Sequence, residues 1–549
     1  MASESLLEGI YLNSLDEALF SSFQVSCDLQ KVENLIVKFR GMMAEYPSRT
    51  IEDEGRVPEE MLKKMGEIGL FGISIPEAYG GLGFNLWEYL RAIEEMVRLD
   101  ISVVLASLAH LSIGVKGIVL FGSESQKRRY LVPAASGEMI FSYALTEPRV
   151  GSDAQHIETA AELSEDGSHY ILNGQKTYIT NANYAGGLTV FAQLDPKRPG
   201  YMGAFIVETA WDGVKIGKDM PKMGLKASST AAIQLENVRV PVENLVGKPG
   251  EGFKIAMTVL NYGRLGLGAA SVGMMLQSLD DMKKRSSARV QFGVPINSFP
   301  LIQEKMVRAR VHSLASAAMN DFSAWLLESS PTSNVAIESS HCKLFGTTRC
   351  WDVLYDALQV AGGAGYLATQ PYEKRLRDFR VATVFEGTTE IHSIYPALSL
   401  IRRITKQMQQ EGGGWFSQVP FLVKGLFSRV KWPFRFEERV FKEASRLARS
   451  NAVAVRRMLF LGLLLFGKEI SRKQFFLRRV TTLSVYAFGI LSILSRLTAE
   501  RKAGRIGEEE LDLLRYFLEE AKEERKKNRR PFDSRKEKLS ASIFRRFLA

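Results

Sequence analysis

One carboxylate in an apolar setting is the first residue of the sequence with an evident chemical use. Glu386 follows Val384 and Phe385 and precedes Gly387, in the segment VFEGTTEI. Burial raises the pKa of a carboxyl group, and a raised pKa makes its carboxylate a stronger base near neutral pH. A glutamate beside a glycine more often ends a helix at the surface, so this segment alone is a weak signal for a catalytic base.

A glycine-rich stretch lies about twenty residues before this glutamate. Residues 363–368 (GAGYLA) match the GxGxxG/A pattern of dinucleotide-binding proteins, and Glu386 lies near the distance expected for a ribose-binding acid. That pattern requires a preceding strand, whereas residues 344–358 have the apolar spacing of a helix. We therefore reject the dinucleotide-binding interpretation and expect the glycines to end a helix, where their N–H groups can still approach a phosphate.

Metal-binding and disulfide-forming residues are few and scattered. The six histidines form no ligand-spaced pair, and the three cysteines, Cys27, Cys342 and Cys350, contain no CxxC. The sequence therefore predicts no metal site and no disulfide framework, and it indicates a reducing compartment.

The charge of the chain is divided unevenly. Residues 401–549 have 34 Lys and Arg against 16 Asp and Glu, whereas residues 1–400 have 38 against 45, within a net charge of +11. A basic C-terminal segment of this kind is typical of proteins that bind an anionic partner: a membrane surface, a nucleic acid or an acidic protein.

The N-terminal segment predicts neither a secretory signal nor a mitochondrial presequence, because residues 1–30 contain no Lys or Arg and several acids. The longest uncharged apolar run, residues 480–495, is shorter than the roughly 20 residues of a spanning helix, so we expect none. The expected location is cytoplasmic, either free or peripheral on the inner face of a membrane. A mitochondrial location is expected only if the chain is already processed.

The apolar periodicity divides the chain into four parts. Residues 1–140 have helical spacing, residues 141–249 alternate as strands do, and residues 250–405 return to helical spacing. In the strand block, Asn173-Gly174 is the expected turn after the strand at 170–172. Residues 406–549, with a loop at residues 411–414 near their start, form a basic helical tail. This order predicts an α+β chain that is mostly α.

Five motifs occur in the order of one known family. They are YALTEPRVGSD at 143–153 with NGQKTYITN at 173–181, KMGLKASST at 222–230, GEGF at 250–253, RVQFG at 289–293, and the stretch from Gln359 to Glu390. Together they resemble the acyl-CoA dehydrogenases over roughly residues 30–400. The resemblance implies an N-terminal helical domain, a β-barrel-like middle domain and a C-terminal four-helix bundle, followed here by the extra tail.

The resemblance also implies a reaction and a cofactor. Glu386 matches the base that removes the α-proton of an acyl-CoA thioester, while the β-hydrogen leaves as hydride to FAD and a trans-2-enoyl-CoA forms. Hydrogen bonds to the thioester carbonyl, one of them from the N–H of the base itself, stabilise the developing enolate in a water-poor site. The electron acceptor implied is an electron-transfer flavoprotein, although an acyl-CoA oxidase, which returns electrons to oxygen, stays open.

Binding residues follow from the same resemblance. One group matches positions around the flavin ring and pyrophosphate: Tyr143, Leu145, Thr146, Ser152, Tyr178, Ile179 and Thr180. A second group matches positions that bind the adenosine half across a subunit contact: Arg289, Gln291, Phe292, Gln359 and Gly363. Thr388 and Glu390 match FAD contacts just after the base, and the residues that match substrate positions are Ser152, Asn261, Arg264 and Gly387.

Two positions depart from the family pattern. Tyr178 stands where many members have Trp, which keeps a ring against the flavin. Arg149-Val150 replaces small residues after Glu147-Pro148, which puts the local contacts to CoA in doubt.

The branch that this sequence most resembles acts on very long acyl chains. Small residues at Ser107, Ala109, Ser112 and Gly114 fit a deep acyl pocket, and a tail beyond residue 400 is typical of that branch. The tail implies a homodimer, because it occupies the place where smaller members pair into tetramers.

The tail also suggests a membrane hypothesis. In residues 413–436, aromatic residues (Trp415, Phe416, Phe421, Phe427, Trp432, Phe434, Phe436) are interleaved with Lys424, Arg429, Lys431 and Arg435, as at an anionic lipid surface. An ordinary packing face explains the same pattern equally well. The alternative function is a binding or scaffold protein that uses the tail on nucleic acid or a respiratory assembly; the presence of Glu386 argues against it.

Overall fold

The structure is a computed structural model that describes residues 5–14, 23–410 and 415–548, without the side chains of residues 415–417. The loop predicted at Glu411 to Gly414 and the side chains of Trp415 and Phe416 lie outside the described residues. The remainder comprises two helical regions on either side of a sheet, followed by a helical tail.

The first helical region is built from short, well-capped helices. Asp28 accepts hydrogen bonds from the N–H groups of Gln30 and Lys31, and Asn85 forms a capping box with Glu88. A π-helical turn, His110–Gly114, joins the helices on either side of it. The helices are α1 Leu6–Leu12, α2 Leu29–Glu45, α3 Ser48–Glu54, α4 Glu59–Glu67, α5 Leu86–Met96, α6 Ile101–Ala109, α7 Lys116–Phe121 and α8 Glu124–Ser136.

The predicted middle domain is an eight-stranded sheet with an apolar core of its own. Its strands are β1 Ile140–Ala144, β2 Ala160–Leu163, β3 His169–Thr180, β4 Ala185–Gln193, β5 Met202–Glu208, β6 Val214–Ile216, β7 Thr230–Pro241 and β8 Leu245–Val246. The strand order is β6-β7-β3-β2-β4-β5-β8, and β1 pairs with β4 in parallel.

The prediction of a turn at Asn173-Gly174 is wrong. Strand β3 continues through it, and its register against β7 shifts between Leu172 and Gly174. Gly174 has φ +156°, and a Cβ there would lie 2.5 Å from Thr159 Oγ1 on the neighbouring chain segment. The glycine therefore permits a bulge and a close approach inside one long strand, not a hairpin.

Long helices form the second helical region, in which α9 packs against α10 and α11, and α11 packs against α14. Gly362 (φ +62°) caps the end of α11, as expected from the helical spacing before the glycines. These elements are α9 Gly252–Ala288, the hairpin β9 Val290–Gln291 and β10 Val294–Pro295, α10 Pro300–Ser329, α11 Ala336–Ala361, α12 Gly363–Tyr366, α13 Pro371–Phe379 and α14 Thr389–Gln410. Helix α14 runs without interruption through the predicted boundary at 405/406.

The tail packs on this bundle. Its helices are α15 Trp415–Phe427, α16 Arg439–Phe466, α17 Gln474–Lys502, α18 Glu508–Asn528 and α19 Arg535–Leu548. The apolar run at residues 480–495 lies within α17, which is buried against α10, α14 and α16. Its side chains join the same apolar core as the bundle.

Most aromatic rings of the suspected membrane segment pack within the protein. Phe434 is buried, the Trp432 indole N–H donates to Ser445 Oγ at 2.9 Å, and Phe436 contacts the Phe441 ring. Phe421 contacts the ring of Phe460 on α16. The packing-face interpretation therefore accounts for these four rings, whereas Phe427 is 75% exposed.

Three stretches are long and apolar enough to cross a membrane by length and composition: Ile101–Phe121, Arg439–Arg472 and Gln474–Lys502. The protein buries 83% of the apolar window in the first stretch, 50% in the second and 89% in the third. Packing inside the fold thus explains the apolar character of the first and third stretches. The expectation that no helix spans a membrane stays a prediction.

Candidate active site

The Glu386 carboxylate lies against the bare main chain of helix α9. A Cβ built on Gly263 would lie 2.5 Å from Glu386 Oε2, so any side chain at that position would displace the carboxylate. Glu386 has φ +53°, a left-handed conformation that is unfavourable for a residue with a side chain. This conformation, in the turn between a 3₁₀ helix at Arg380–Thr383 and α14, directs the side chain toward α9.

Two cations face this carboxylate across a desolvated space. The residue as a whole is half-buried, but Oε2 is out of contact with solvent and has no hydrogen-bond partner among the described residues. Burial, opposed by Arg264 and then Lys343, raises the pKa of Glu386 to about 7. The carboxyl group can therefore exchange a proton near neutral pH, as a general base must.

Arg264 and Asn261, both predicted substrate residues, are held together beside the base. Arg264 Nη1 donates to Asn261 Oδ1 at 3.2 Å, and Ser339 Oγ donates to the same oxygen at 2.9 Å. The guanidinium lies 5.6 Å from the centre of the Tyr395 ring, and its Nε has no partner among the described residues. Arg264 is 7% exposed, so it is not a solvated helix charge.

Lys343, on α11, supports the main chain beside the base and was missed from the sequence. Its Nζ donates to the carbonyl oxygen of Gly387, another predicted substrate residue, at 2.5 Å. Burial lowers the pKa of Lys343 to about 8, although the Glu386 carboxylate opposes that shift. A single lysine within an apolar helical pattern carries no sequence signal for such a role, because only the packing of α11 against the loop creates it.

The flavin residues of the first group meet at one end of the sheet. The N–H of Thr177 donates to the carbonyl of Thr146 at 2.9 Å, and Ser142 Oγ donates to the carbonyl of Thr180 at 2.8 Å, so the two motifs are adjacent. A register shift in β3 between Lys176 and Ile179 leaves Tyr178 with φ +56° and a ring that is 68% exposed.

The other residues of that group differ in what they offer a ligand. Burial and then the nearby Glu386 carboxylate raise the pKa of Tyr143 well above its usual value, so this ring lies beside the base. Ile179 is buried in the core of the sheet and Leu145 in the main core, which leaves mainly their backbone groups for a cofactor contact. Ser152 is exposed on the loop after β1, close to Arg149, which pairs with Glu158.

The second group lies far from the base within one chain. Arg289, Gln291 and Phe292 stand at and after the C-terminal end of α9, 25 residues beyond Arg264, or roughly 38 Å at 1.5 Å per helical residue. Phe292 is 94% exposed. Gln359 and Gly363 lie at the same end of the bundle, where Arg285 Nη2 donates to the carbonyl of Ala361 at 3.4 Å, and both are exposed.

Thr388 and Glu390 stand at the start of α14. Thr388 Oγ1 accepts the N–H of Ile391 at 3.3 Å and so caps that helix, while Glu390 is exposed. No group of three or more His, Cys, Asp or Glu side chains suited to a metal ion occurs in the described ranges.

A buried ion pair, absent from the predicted site, joins the two sheet motifs. Lys176 Nζ lies 2.7 Å from Glu147 Oε1, and the side chains are 0% and 2% exposed. Glu147 also accepts the N–H groups of Glu158 at 2.5 Å and Thr159 at 2.9 Å, and Lys176 donates to the carbonyl of Leu145 at 3.2 Å. Burial raises the pKa of Glu147, but Lys176 and these donors outweigh it and the pKa is lowered.

Comparisons with known proteins assign three segments to family models. Residues 38–138 match the acyl-CoA dehydrogenase N-terminal domain, residues 142–238 the middle domain, and residues 250–397 the C-terminal domain. A mitochondrial very long-chain specific acyl-CoA dehydrogenase of Macaca fascicularis is 33% identical over 481 residues, covering 82% of this chain and 71% of the relative.

Solved structures show the same fold. An acyl-CoA dehydrogenase from Bacillus anthracis, complexed with FAD, superposes with a TM-score of 0.82 at 26% identity, covering 99% of this chain and 95% of that one. A structure described as the electron transferring flavoprotein of Acidaminococcus fermentans has a TM-score of 0.64 at 33% identity, covering 69% and 100%.

The buried ion pair predicts a large loss of stability when one partner is removed. We expect Lys176→Met to reduce the free energy of unfolding by about 3–5 kcal/mol, because Glu147 is left buried and unpaired. Lys215→Met is the matched control: its pair with Glu236 is exposed (64% and 47%), so about 0–1 kcal/mol is expected.

Urea denaturation measures both changes. Adding Glu147→Gln to Lys176→Met should recover part of the loss, because no buried charge then remains unpaired. If Lys176→Met is as stable as Lys215→Met, the ion pair does not hold the two motifs together.

Proposed function

The chain belongs to the acyl-CoA dehydrogenase family and is an FAD-dependent oxidoreductase, and from this premise we propose that it converts long-chain acyl-CoA to trans-2-enoyl-CoA with Glu386 as the base. The single observation that carries the proposal is the desolvated carboxylate of Glu386, whose Oε2 has no hydrogen-bond partner among the described residues, whose pKa is raised to about 7, and which faces two cations. Such a group is suited to removing a weakly acidic C–H proton at neutral pH.

The residues of the sheet fit the cofactor. At the sheet end next to Glu386, the β3 bulge presents the exposed ring of Tyr178, and the Thr146 and Thr180 main chains lie beside it. FAD, when bound, accepts the β-hydrogen of the substrate as hydride. We propose that Tyr143, Thr146, Tyr178 and Thr180 hold its ring portion.

The chain's own residues can stabilise the charge that develops on the substrate. The N–H of Glu386 has no acceptor in the described part of the chain and is available to the thioester carbonyl. Ionised Glu386 takes the α-proton, and the negative charge moves onto that carbonyl oxygen, which a fixed N–H stabilises better than water does. Arg264 and Lys343 limit the rise in the pKa of Glu386 and so keep a useful fraction ionised at neutral pH.

The acyl chain has an apolar path away from the base. Gly263, Leu267 and Ala270 follow one face of α9, and the last two line an apolar void that Phe385, Leu105 and Leu108 also line. Ala109 follows Leu108 in the chain and is buried at the end of α6. Among the predicted small pocket residues, Gly114 has another reason for its size: a Cβ there would lie 2.8 Å from the Phe141 carbonyl oxygen.

We propose a homodimer and an electron-transfer flavoprotein as acceptor. The second cofactor group lies roughly 38 Å along α9 from Arg264, and its Phe292, like Leu301, is an exposed apolar residue (94% and 74% exposed), which supports a contribution to another subunit's FAD. The likeness to the structure described as an electron transferring flavoprotein supports the acceptor.

The tail supplies a surface suited to an anionic bilayer, which we propose as the location of the protein. The apolar side of α19 is exposed: Leu539 51%, Ile543 57%, Phe544 62%, Phe547 84% and Leu548 74%. Arg535, Lys536, Lys538, Arg545 and Arg546 lie on the same helix. Arg479, itself 5% exposed, anchors the start of α19 through Glu537 at 2.8 Å and through Asp533, just before the helix, at 3.2 Å. Helix α19 has no buried residue, so its apolar side is free to contact a bilayer.

Glu386→Gln tests the catalytic assignment. We expect anaerobic bleaching of the bound flavin by palmitoyl-CoA to slow by roughly 10²–10⁴-fold, because an amide cannot accept the α-proton. In the unaltered protein, the bleaching rate at low substrate should rise about tenfold per pH unit below pH 7 and level off above it, because only the ionised carboxylate acts and its pKa is about 7.

Glu338→Gln is the control for that experiment. Glu338 is equally desolvated, with a pKa raised to about 7 by burial, but it accepts hydrogen bonds from Ser5 Oγ and the N–H of Leu7, away from the base. Its rate and pH profile should match those of the unaltered protein. Bleaching of Glu386→Gln at the original rate removes the assignment. If the unaltered protein binds flavin but shows no bleaching with palmitoyl-CoA, a binding or scaffold protein is favoured.

Ala270→Leu tests the preference for long chains. The larger side chain extends into the void beside Phe385, so bleaching by palmitoyl-CoA should slow by about tenfold or more relative to bleaching by butyryl-CoA. Stopped-flow absorbance with both substrates gives this ratio, and the short substrate controls for misfolding. An unchanged ratio argues against an acyl chain on this path.

Introducing negative charge on the apolar side of α19 tests membrane docking. Ile543→Glu with Phe547→Glu should abolish co-sedimentation with phosphatidylglycerol vesicles, because two charged groups replace the apolar contact. Leu163→Glu, at a 55% exposed leucine on β2, is the control and should pellet normally. Equal pelleting of both variants, or equal binding to purely zwitterionic vesicles, contradicts the proposal.

A further inference from the structure

His392 is a buried imidazole that hydrogen-bonds on both of its nitrogens beside the base. It lies in the first turn of α14 and is 1% exposed. Nε2 lies 3.0 Å from the carbonyl oxygen of Glu386, and Nδ1 lies 2.7 Å from Ser340 Oγ on α11. The family motifs read from the sequence give His392 and Ser340 no function.

The partners determine which nitrogen carries the proton. A carbonyl oxygen only accepts, so Nε2 carries the hydrogen and donates it to Glu386, and Nδ1 accepts the hydroxyl proton of Ser340. Burial, and then the charges of Arg264 and Lys343, lower the pKa of His392 well below its usual value, so the ring is neutral. The hydrogen bonds therefore run in one direction, from Ser340 through His392 to the main chain of the base.

The main chain at this point requires such support. Glu386 (φ +53°) and Gly387 (φ +99°) are consecutive residues with positive φ, and the first has a side chain that disfavours this conformation. His392 holds the Glu386 carbonyl, and Lys343 holds the next carbonyl, that of Gly387, at 2.5 Å. Gly387 also makes room for the imidazole, because a Cβ there would lie 2.6 Å from His392 Nε2.

The carboxylate has little else to fix its direction. Glu386 Oε2 has no hydrogen-bond partner in the described ranges, and its nearest constraint is the Cα side of Gly263. The orientation of the side chain therefore depends on the conformation of its own backbone. A displacement of about 1 Å at a reacting group can reduce a rate by about 10²-fold.

We propose that His392, anchored by Ser340, is a positioning residue that locks the backbone of Glu386 in the left-handed conformation and so aims the carboxylate at the α-carbon of the bound acyl-CoA. This inference rests on the proposed function of Glu386. The imidazole does not contact the substrate; it acts through the Glu386 carbonyl. If His392 had only a structural role in the core, its replacement would lower the stability of the protein. It would not selectively lower the limiting rate while leaving the half-saturating concentration unchanged.

Three variants and one control separate these roles. His392→Leu removes both hydrogen bonds at similar size, His392→Gln keeps an N–H donor and an oxygen acceptor, and Ser340→Ala removes only the anchor. His341→Leu is the control, because His341 is an equally buried imidazole on α11 whose Nε2 lies 2.7 Å from Ser484 Oγ in the tail.

The first measurement is anaerobic flavin bleaching of the holoenzyme across palmitoyl-CoA concentrations. We expect His392→Leu to lower the limiting rate by about 10–100-fold while the half-saturating concentration changes by less than about threefold. Ser340→Ala should give a smaller loss of the same kind, and His392→Gln should recover to within about fivefold of the original rate. His341→Leu should lower the melting temperature and leave the limiting rate within about threefold.

The second measurement does not require turnover. A 3-thia-acyl-CoA probe can lose its α-proton to the base but cannot be dehydrogenated at sulfur, and its anion next to oxidised flavin gives a long-wavelength charge-transfer band. That band should weaken in His392→Leu and return in His392→Gln at saturating probe. Folding of each variant is checked by its melting curve. If His392→Leu does not fold, the limiting rates and bands of Ser340→Ala and His392→Gln test the proposal instead.

The proposal is overturned if folded His392→Leu keeps the original limiting rate and band, if Ser340→Ala keeps them as His341→Leu does, if His392→Gln loses as much rate as His392→Leu, or if the loss appears only in half-saturation. A Glu386→Gln protein that retains full bleaching would instead remove the proposed function. The two failures are thus distinguishable.

Discussion

The site depends on keeping one carboxylate dry and unpaired beside two cations. Removing a carboxylate from water costs several kcal/mol unless it is neutralised or paired, so the fold must retain Glu386 by geometry and not by a direct bond. It does so through the bare Cα of Gly263 on one side and two main-chain carbonyls, held by His392 and Lys343, on the other. Arg264 and Lys343 supply enough opposite charge to limit the pKa to about 7.

The remaining architecture serves that geometry. Glu386 lies in the loop before α14, Gly263 and Arg264 on α9, and Lys343 on α11, so the packing of these three helices determines how the charges meet. The sheet contributes Tyr143 from β1 and the exposed Tyr178 from the β3 bulge. The buried pair of Glu147 and Lys176 joins the loop after β1 to β3 and so holds these two segments together.

The sequence predicts the parts of this arrangement that depend on local pattern. The change from helical to alternating periodicity predicts the order of helices, sheet and helices in the core. The five motifs point to Glu386 together with Arg264, Tyr143 and Tyr178, whose roles stay predictions. The sequence pattern does not predict contacts between segments that are distant in the chain. Lys343, Ser340 and His392 look like ordinary helix residues, because their partners lie 44 or 52 residues away in the chain or in an irregular loop. Asn173-Gly174 misleads for the related reason that tertiary pairing overrides a turn propensity.

The tail illustrates the same limit at a larger scale. Its basic composition and aromatic residues suggested a module that can be separated from the bundle at 405/406, but α14 continues through that boundary and α17 buries its apolar face on the bundle. His341 of α11 hydrogen-bonds Ser484 of α17, which in turn contacts Tyr11 of α1 at 2.7 Å. Helix α17 also packs directly on α14 and α11, the two helices on either side of Glu386, so these helices are themselves packed against the tail. Truncation at residue 405 would therefore expose the bundle core and disturb the site, whereas substitutions on the projecting face of α19 leave this packing intact.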